Sequence, residues 1–163
     1  MMIEIKKNGL LKYKDFSCRC SLGKSGIKSK KIEGDNATPK GIFSLGKIYY
    51  RKDRIKNIQS KLSKKKITKG MGWCHNINSR KYNKESKFLN YSKTENLFRK
   101  DFKYDVLIVI NYNTNPARKG RGSAIFLHLT KNYMPTRGCV AITKKNFIYL
   151  IKKINKKTKI KIN

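Results

Sequence analysis

Ala124-Ile-Phe-Leu-His128 and Cys139-Val-Ala-Ile142 are two short apolar runs, and the connection between them ends in Pro135-Thr-Arg-Gly138. Apolar runs of this length, with β-branched and aromatic residues, have the pattern of strands buried inside a sheet. The proline and glycine mark a tight turn at the entry to the second strand. Thr143 then stands where a helix cap belongs, and Phe147, Ile148, Ile151 and Ile154 follow at helical spacing with lysines between them. Strand, turn, strand and helix in this order predict a mostly-β domain of the α+β class.

Working outward, Val106-Leu-Ile-Val-Ile110 is another short β-branched run and the best candidate for a central strand. Ile42 to Tyr50 reads as a strand, separated by the turn-rich loop Gly34-Asp-Asn-Ala-Thr-Pro-Lys-Gly41 from what precedes it. Met2 to Lys6 and Leu10 to Lys14 flank Lys7-Asn8-Gly9 and predict a hairpin. Lys52 to Lys69 is basic with little periodicity, and Trp73 to Arg99 is polar and aromatic, so both read as long excursions packed on the sheet. Lys159-Ile-Lys-Ile162 alternates and is expected at a sheet edge, where lysines discourage stray pairing. There is no internal repeat and no linker, and residues 1–163 are read as one domain.

The chain has 41 Lys plus Arg against 9 Asp plus Glu, a formal net charge of +32. A hydrophobic fraction of 38% excludes a disordered basic tail. The charge has two readings: a polyanionic partner attracted at long range, or lysines placed by AT-rich coding at solvated positions. No helix-turn-helix, RRM or zinc-finger pattern accompanies it, so a nucleic-acid-binding module rests on charge alone. No apolar run reaches the ~20 residues of a membrane span, and Met1 to Lys14 has no signal-peptide pattern. The four cysteines, Cys18, Cys20, Cys74 and Cys139, are too scattered for a disulfide framework. Cys18 and Cys20 read as buried strand residues, and Cys74-His75 lacks the pair spacing of a structural zinc site, so no metal is expected.

The chemistry concentrates at His128 and Cys139, which are 11 residues apart (139 minus 128). A cysteine acts as a nucleophile only as thiolate, and an imidazole that takes its proton, with a cation such as Arg137 nearby, can generate one. Gly138 leaves room for a substrate carbonyl, and turn N–H groups, including that of Cys139, can stabilise an oxyanion.

The stretch from Gly122-Ser-Ala-Ile-Phe-Leu-His128 through Pro135-Thr-Arg-Gly-Cys-Val-Ala141 resembles the active-site signature of the L,D-transpeptidase (YkuD-like) catalytic domain. The likeness extends upstream through Glu33 to Gly41, Tyr50-Arg51, Asp53-Arg54, Gly72-Trp-Cys74, Tyr82-Asn83, Glu95 to Arg99 and Tyr104-Asp105. It is similar to a subgroup of short stand-alone members. The resemblance implies one such catalytic domain with mixed sheets and a helix after the Cys turn, with no cofactor. It makes Cys139 the nucleophile, His128 the base, and Gly138 with Cys139 the oxyanion turn. Arg137, Thr136 and Ser123 are its candidate substrate-binding residues, and Leu129 holds the place whose carbonyl orients the histidine. Arg137 replaces a second His found in better-known members.

The implied partner is the peptidoglycan stem peptide, with a periplasmic or envelope location, a monomer, and either cross-linking or L,D-carboxypeptidase or endopeptidase activity. Trp73, Tyr82, Tyr91 and Tyr104 are expected to pack rather than bind sugar. Glu33, Asp35, Glu95 and Asp105 are expected to anchor lysine or arginine.

Overall fold

The computed structural model describes residues 1–29, 32–89 and 93–163; Tyr91 lies outside the described residues. Strand β1 (Met2–Lys6) buries Ile3 and Ile5 on one face, and the turn closed by Gly9 N–H to the Lys6 carbonyl (3.0 Å) leads into β2 (Leu10–Tyr13). Strand β3 (Phe16–Arg19) adds to β2, so the expected hairpin becomes a three-stranded meander. Cys18 is half-buried in β3, while Cys20 is buried just beyond its end, and all four cysteines are free thiols.

The turn-rich loop holds a small parallel pair, β4 (Ile27–Lys28) with β5 (Thr38–Pro39). Strand β6 (Gly41–Tyr50) then crosses the molecule, pairing with β7 (Lys64–Lys66) and β11 (Val106–Ile110) near its end. The β6–β11 register shifts between Ile108 and Ile110, and there Gly46 lies so close that an added Cβ would meet Val109 at 3.1 Å. The region expected to be an excursion instead forms a second sheet, with β8 (Met71–Cys74) between β9 (Glu85–Lys87) and β10 (Thr94–Asn96). Its flanking strands have three residues each and are mostly polar, so they carry no alternation to read.

Strands β12 (Phe126–Leu129) and β13 (Val140–Ile142) lead into helix α1 (Lys144–Lys153). The Thr143 hydroxyl caps this helix by accepting from Asn146 N–H. Last comes β14 (Lys159–Ile162), and among the described residues the large sheet runs β13-β12-β11-β6-β14-β1-β2-β3, with β7 on β6. The expectation of an edge strand at 159–162 is therefore corrected. β14 pairs in parallel with β1 and antiparallel with β6, and it buries Ile160 and Ile162. Its lysines alternate to the other face and leave both backbone edges available, because a charge repels pairing only where it blocks an edge.

Strand β11 joins two cores. Val106, Ile108 and Ile110 pack with Leu127, Val140 and the helix, whereas Leu107 and Val109 pack with Phe126, Trp73 and Leu97. Each of these burials contributes about 1.5–3 kcal/mol, which is why a five-residue strand can organise both layers. The outer side of β13 is covered by chain that follows β3: Ser21 N–H donates to the Ala141 carbonyl (2.7 Å) and Ala141 N–H donates back (3.1 Å). Mostly β with mixed sheets and a helix directly after the Cys139 turn, the domain has the expected class.

Candidate active site

Side chains alternate along a strand, so Phe126 and His128 of β12 share one face while Leu127 and Leu129 share the other. Strand β13 runs parallel to β12 with His128 opposite Ala141 and Leu127 opposite Val140. Continuing that register by one residue sets Cys139 opposite Phe126, on the same face as His128. Adjacent strands about 4.8 Å apart, with a two-residue rise of about 6.6 Å, put His128 diagonally about 8 Å from Cys139 by backbone. Their side chains converge on one cleft of about 570 Å³ that both line.

The sulfur is held by backbone. Cys139 Sγ donates to the Ala124 carbonyl (3.2 Å) and accepts from Phe126 N–H (3.3 Å). The first bond suits a thiol and the second favours a thiolate, so the seat accommodates both states. Cys139 is only 8% exposed and reaches solvent through the cleft.

His128 Nδ1 lies 2.9 Å from the Leu129 carbonyl. A carbonyl can only accept, so Nδ1 carries the hydrogen and Nε2 keeps its lone pair. Burial lowers the imidazole's pKa to about 4; the Leu129 carbonyl opposes this, and the Lys103 and Arg99 cations add to it. The resting ring is therefore neutral at pH 7. The sequence predicts a self-activating thiolate and imidazolium pair, whereas the buried ring disfavours its own charged form. Tyr104 stands edge-on to the imidazole with ring centroids 5.2 Å apart and donates its hydroxyl to Glu95 Oε1 (3.1 Å). Burial first, then the neighbouring Cys139 and Glu95, holds the Tyr104 phenol well above its ordinary range.

The cleft is lined from several segments of chain, among them those carrying Glu33, His75, Glu95 with Arg99, Ser123 and Arg137. Arg137 is exposed on its lining. Thr136 is turned into its own loop: its hydroxyl donates to the Cys139 carbonyl (2.6 Å) and accepts from Gly138 N–H (3.1 Å). The Gly138 donor assigned to the oxyanion turn is thus occupied in this conformation. Gly138 itself has φ 133°, a backbone angle that favours glycine.

Ser123 is buried and donates to Glu33 Oε2 (2.8 Å), the same oxygen that accepts the Tyr82 hydroxyl (2.5 Å). Glu33 was expected to hold lysine or arginine; among the described residues its carboxylate accepts from the Tyr82 and Ser123 hydroxyls. Asp35 accepts from Ala37 N–H, and Glu95 and Asp105 meet Arg99 (3.4 Å) and Arg54 (2.8 Å). Trp73, Tyr82 and Tyr104 are all buried. Among the described residues no group of three or more His, Cys, Asp or Glu is arranged to hold a metal, and no helix is long and apolar enough to cross a membrane.

Sequence reasoning quoted Asn83 and Ala124 only within longer stretches and gave neither a role of its own. Asn83 is buried, and its side chain ties Trp73 and Ala124 to residues 112 and 113. Ala124 takes φ 52°, which nothing in an alanine announces.

Two solved structures of the helical cell shape determining protein Pgp2 from Campylobacter jejuni, one of a point mutant, share this fold. They are 16% and 17% identical, with TM-scores of 0.55 and 0.53 over 99% of this chain. The chain spans 46% of the length of these structures. No curated protein matches it in sequence. The model of the L,D-transpeptidase catalytic domain, YkuD, matches residues 1–162, nearly the whole sequence around this cleft, and the chain belongs to that family.

Proposed function

We propose that the protein transfers acyl groups between peptidoglycan stem peptides, with Cys139 as nucleophile and His128 as proton carrier. The observation that carries this reading is one buried face on two parallel strands, which brings a backbone-held sulfur and a neutral, tautomer-fixed imidazole into one cleft. His128 Nε2 takes the thiol proton as Sγ attacks the carbonyl at the L-centre of a diamino acid joined to a terminal D-residue. The tetrahedral intermediate collapses to a thioester, and the same nitrogen hands the proton to the departing amine.

An amine from a second stem then attacks the thioester. His128 removes that amine's proton, and the sulfur leaves with its proton restored. The product is a cross-link between two diamino acids; water as acceptor gives carboxypeptidase or endopeptidase products from the same thioester. Because the imidazole rests neutral, its Nε2 is free to accept the thiol proton as the attack proceeds. Phe126 N–H then serves the sulfur as negative charge develops, and Arg137 offers a guanidinium to a substrate carboxylate.

Peptidoglycan as substrate implies an envelope location. The test is intact-mass spectrometry with a defined stem tetrapeptide: the wild-type chain gains the mass of the tetrapeptide less that of its released terminal D-amino acid, and Cys139→Ala gains none. A Cys139→Ala protein that still acylates would end the assignment. Muropeptide products from the same incubation separate cross-linking from hydrolysis.

A further inference from the structure

We propose that Asn83 is a positioning residue for the nucleophile, acting through Ala124. Asn83 closes the turn before β9, with φ 55° and its N–H on the Cys74 carbonyl (2.8 Å). Its side chain is saturated. Oδ1 accepts from Trp73 Nε1 (2.9 Å) and Ala124 N–H (3.0 Å), and Nδ2 donates to the Tyr112 carbonyl (3.0 Å) and the Asn113 carbonyl (2.6 Å). One buried amide therefore grips both ends of the loop from 112 to 124. The loop's interior is tied by Asn113, which bonds Arg118 and the Gly122 carbonyl.

Ala124 is where this grip reaches the chemistry. A non-glycine residue in the left-handed region carries a steric penalty between its Cβ and backbone, so something must hold it there. The bond from Ala124 N–H to Asn83 does so, and the carbonyl of that same residue then receives the Cys139 thiol (3.2 Å). Trp73, Asn83, Ala124 and Cys139 form a contiguous chain of contacts. Without Asn83, Ala124 relaxes to negative φ, its carbonyl swings away, and the sulfur loses the acceptor that fixes its rotamer. That acceptor serves the protonated sulfur, so its loss favours ionisation even as the aim of the sulfur degrades.

This role rests on Cys139 being the nucleophile, so the experiment reads the sulfur directly: iodoacetamide alkylation of Cys139 in the full chain, mapped by peptide mass spectrometry across pH. With Asn83→Ala we expect the alkylation midpoint to fall by about half a pH unit or more. On a stem tetrapeptide, kcat should fall at least ~10-fold with KM within about twofold. Trp73→Phe removes the other partner of Oδ1 and should leave the midpoint in place. Asn83→Ala combined with Ala124→Gly should recover at least about half the shift, because glycine takes the left-handed conformation without penalty.

An unshifted midpoint in a folded Asn83→Ala protein overturns the proposal. So does an equal shift in Trp73→Phe, which would mark general loosening. Should the alanine variant fail to fold, Asn83→Asp carries the test: it keeps an oxygen for the Ala124 N–H while its added negative charge raises the midpoint, so a fall in the midpoint there is equally fatal. Absence of a thioester in the wild-type protein would sink the acyl-transfer reading while leaving these midpoints readable.

Discussion

Acidification should destabilise this protein measurably through His128. The His128 imidazole titrates at about 4 when folded against 6.5 when exposed, because burial strips water from its cation. Between those values the unfolded chain binds a proton that the folded chain refuses, so stability rises with pH across the window. The contribution is fully present above 6.5 and is lost as pH falls toward 4. At pH 4.5 the two proton affinities give a loss of about 2.5 kcal/mol from this group, or roughly 5–10 °C in Tm for a domain of this size.

The assay is denaturant unfolding of wild type and His128→Gln at pH 7.5 and 4.5. Glutamine does not titrate, and the carboxylates are common to both proteins, so the difference between their pH dependences isolates His128. We expect the wild type to lose about 2 to 3 kcal/mol more than the variant. Parallel losses would refute the reasoning. So would an NMR titration placing the imidazole at or above 6.5, the signature of a resting imidazolium paired with thiolate.

Tyr104→Phe keeps the ring against His128 and removes the bond to Glu95, so thermal unfolding should register about 1 kcal/mol. Tyr104→Ala removes the ring from both His128 and Phe126 (centroids 5.2 and 5.8 Å) and should cost about 3–5 kcal/mol, with acylation rate falling alongside. Ile160→Ala, at a fully buried site on an interior strand, should cost about 2–5 kcal/mol in urea melts; a loss under about 1 would fit an edge strand instead. Thr143→Ala removes a long cap bond (3.4 Å) and should cost about 0.5–1 kcal/mol, measured the same way.

What was legible in the sequence was whatever hydrophobic pattern and turn chemistry dictate locally. Val106 to Ile110 reads as a strand buried on both faces because all five residues are apolar, and Thr143 with Phe147 and Ile151 reads as a capped amphipathic helix. His128 and Cys139 stood out because their residue types and the glycine turn fit one chemistry. The second sheet was illegible because Glu85–Lys87 and Thr94–Asn96 are polar and are held by pairing with β8. The place of β14 was missed because strand order depends on distant partners, here β1 and β6. Glu33 meets Tyr82 and Ser123, residues 49 and 90 positions away, and no local rule reports such partners.

The reciprocal bonds between Ser21 and Ala141 have a consequence for assembly. The strand that follows Cys139 gets its outer neighbour from chain made 120 residues earlier (141 minus 21), and the sheet between them is continuous only once residues 159–162 have slotted in beside β1. Contacts this remote in sequence form slowly. A ribosome-bound fragment reaching only to α1 already contains β12 and β13, which pair directly, but lacks the strand that joins β6 to β1 and so closes the continuous sheet.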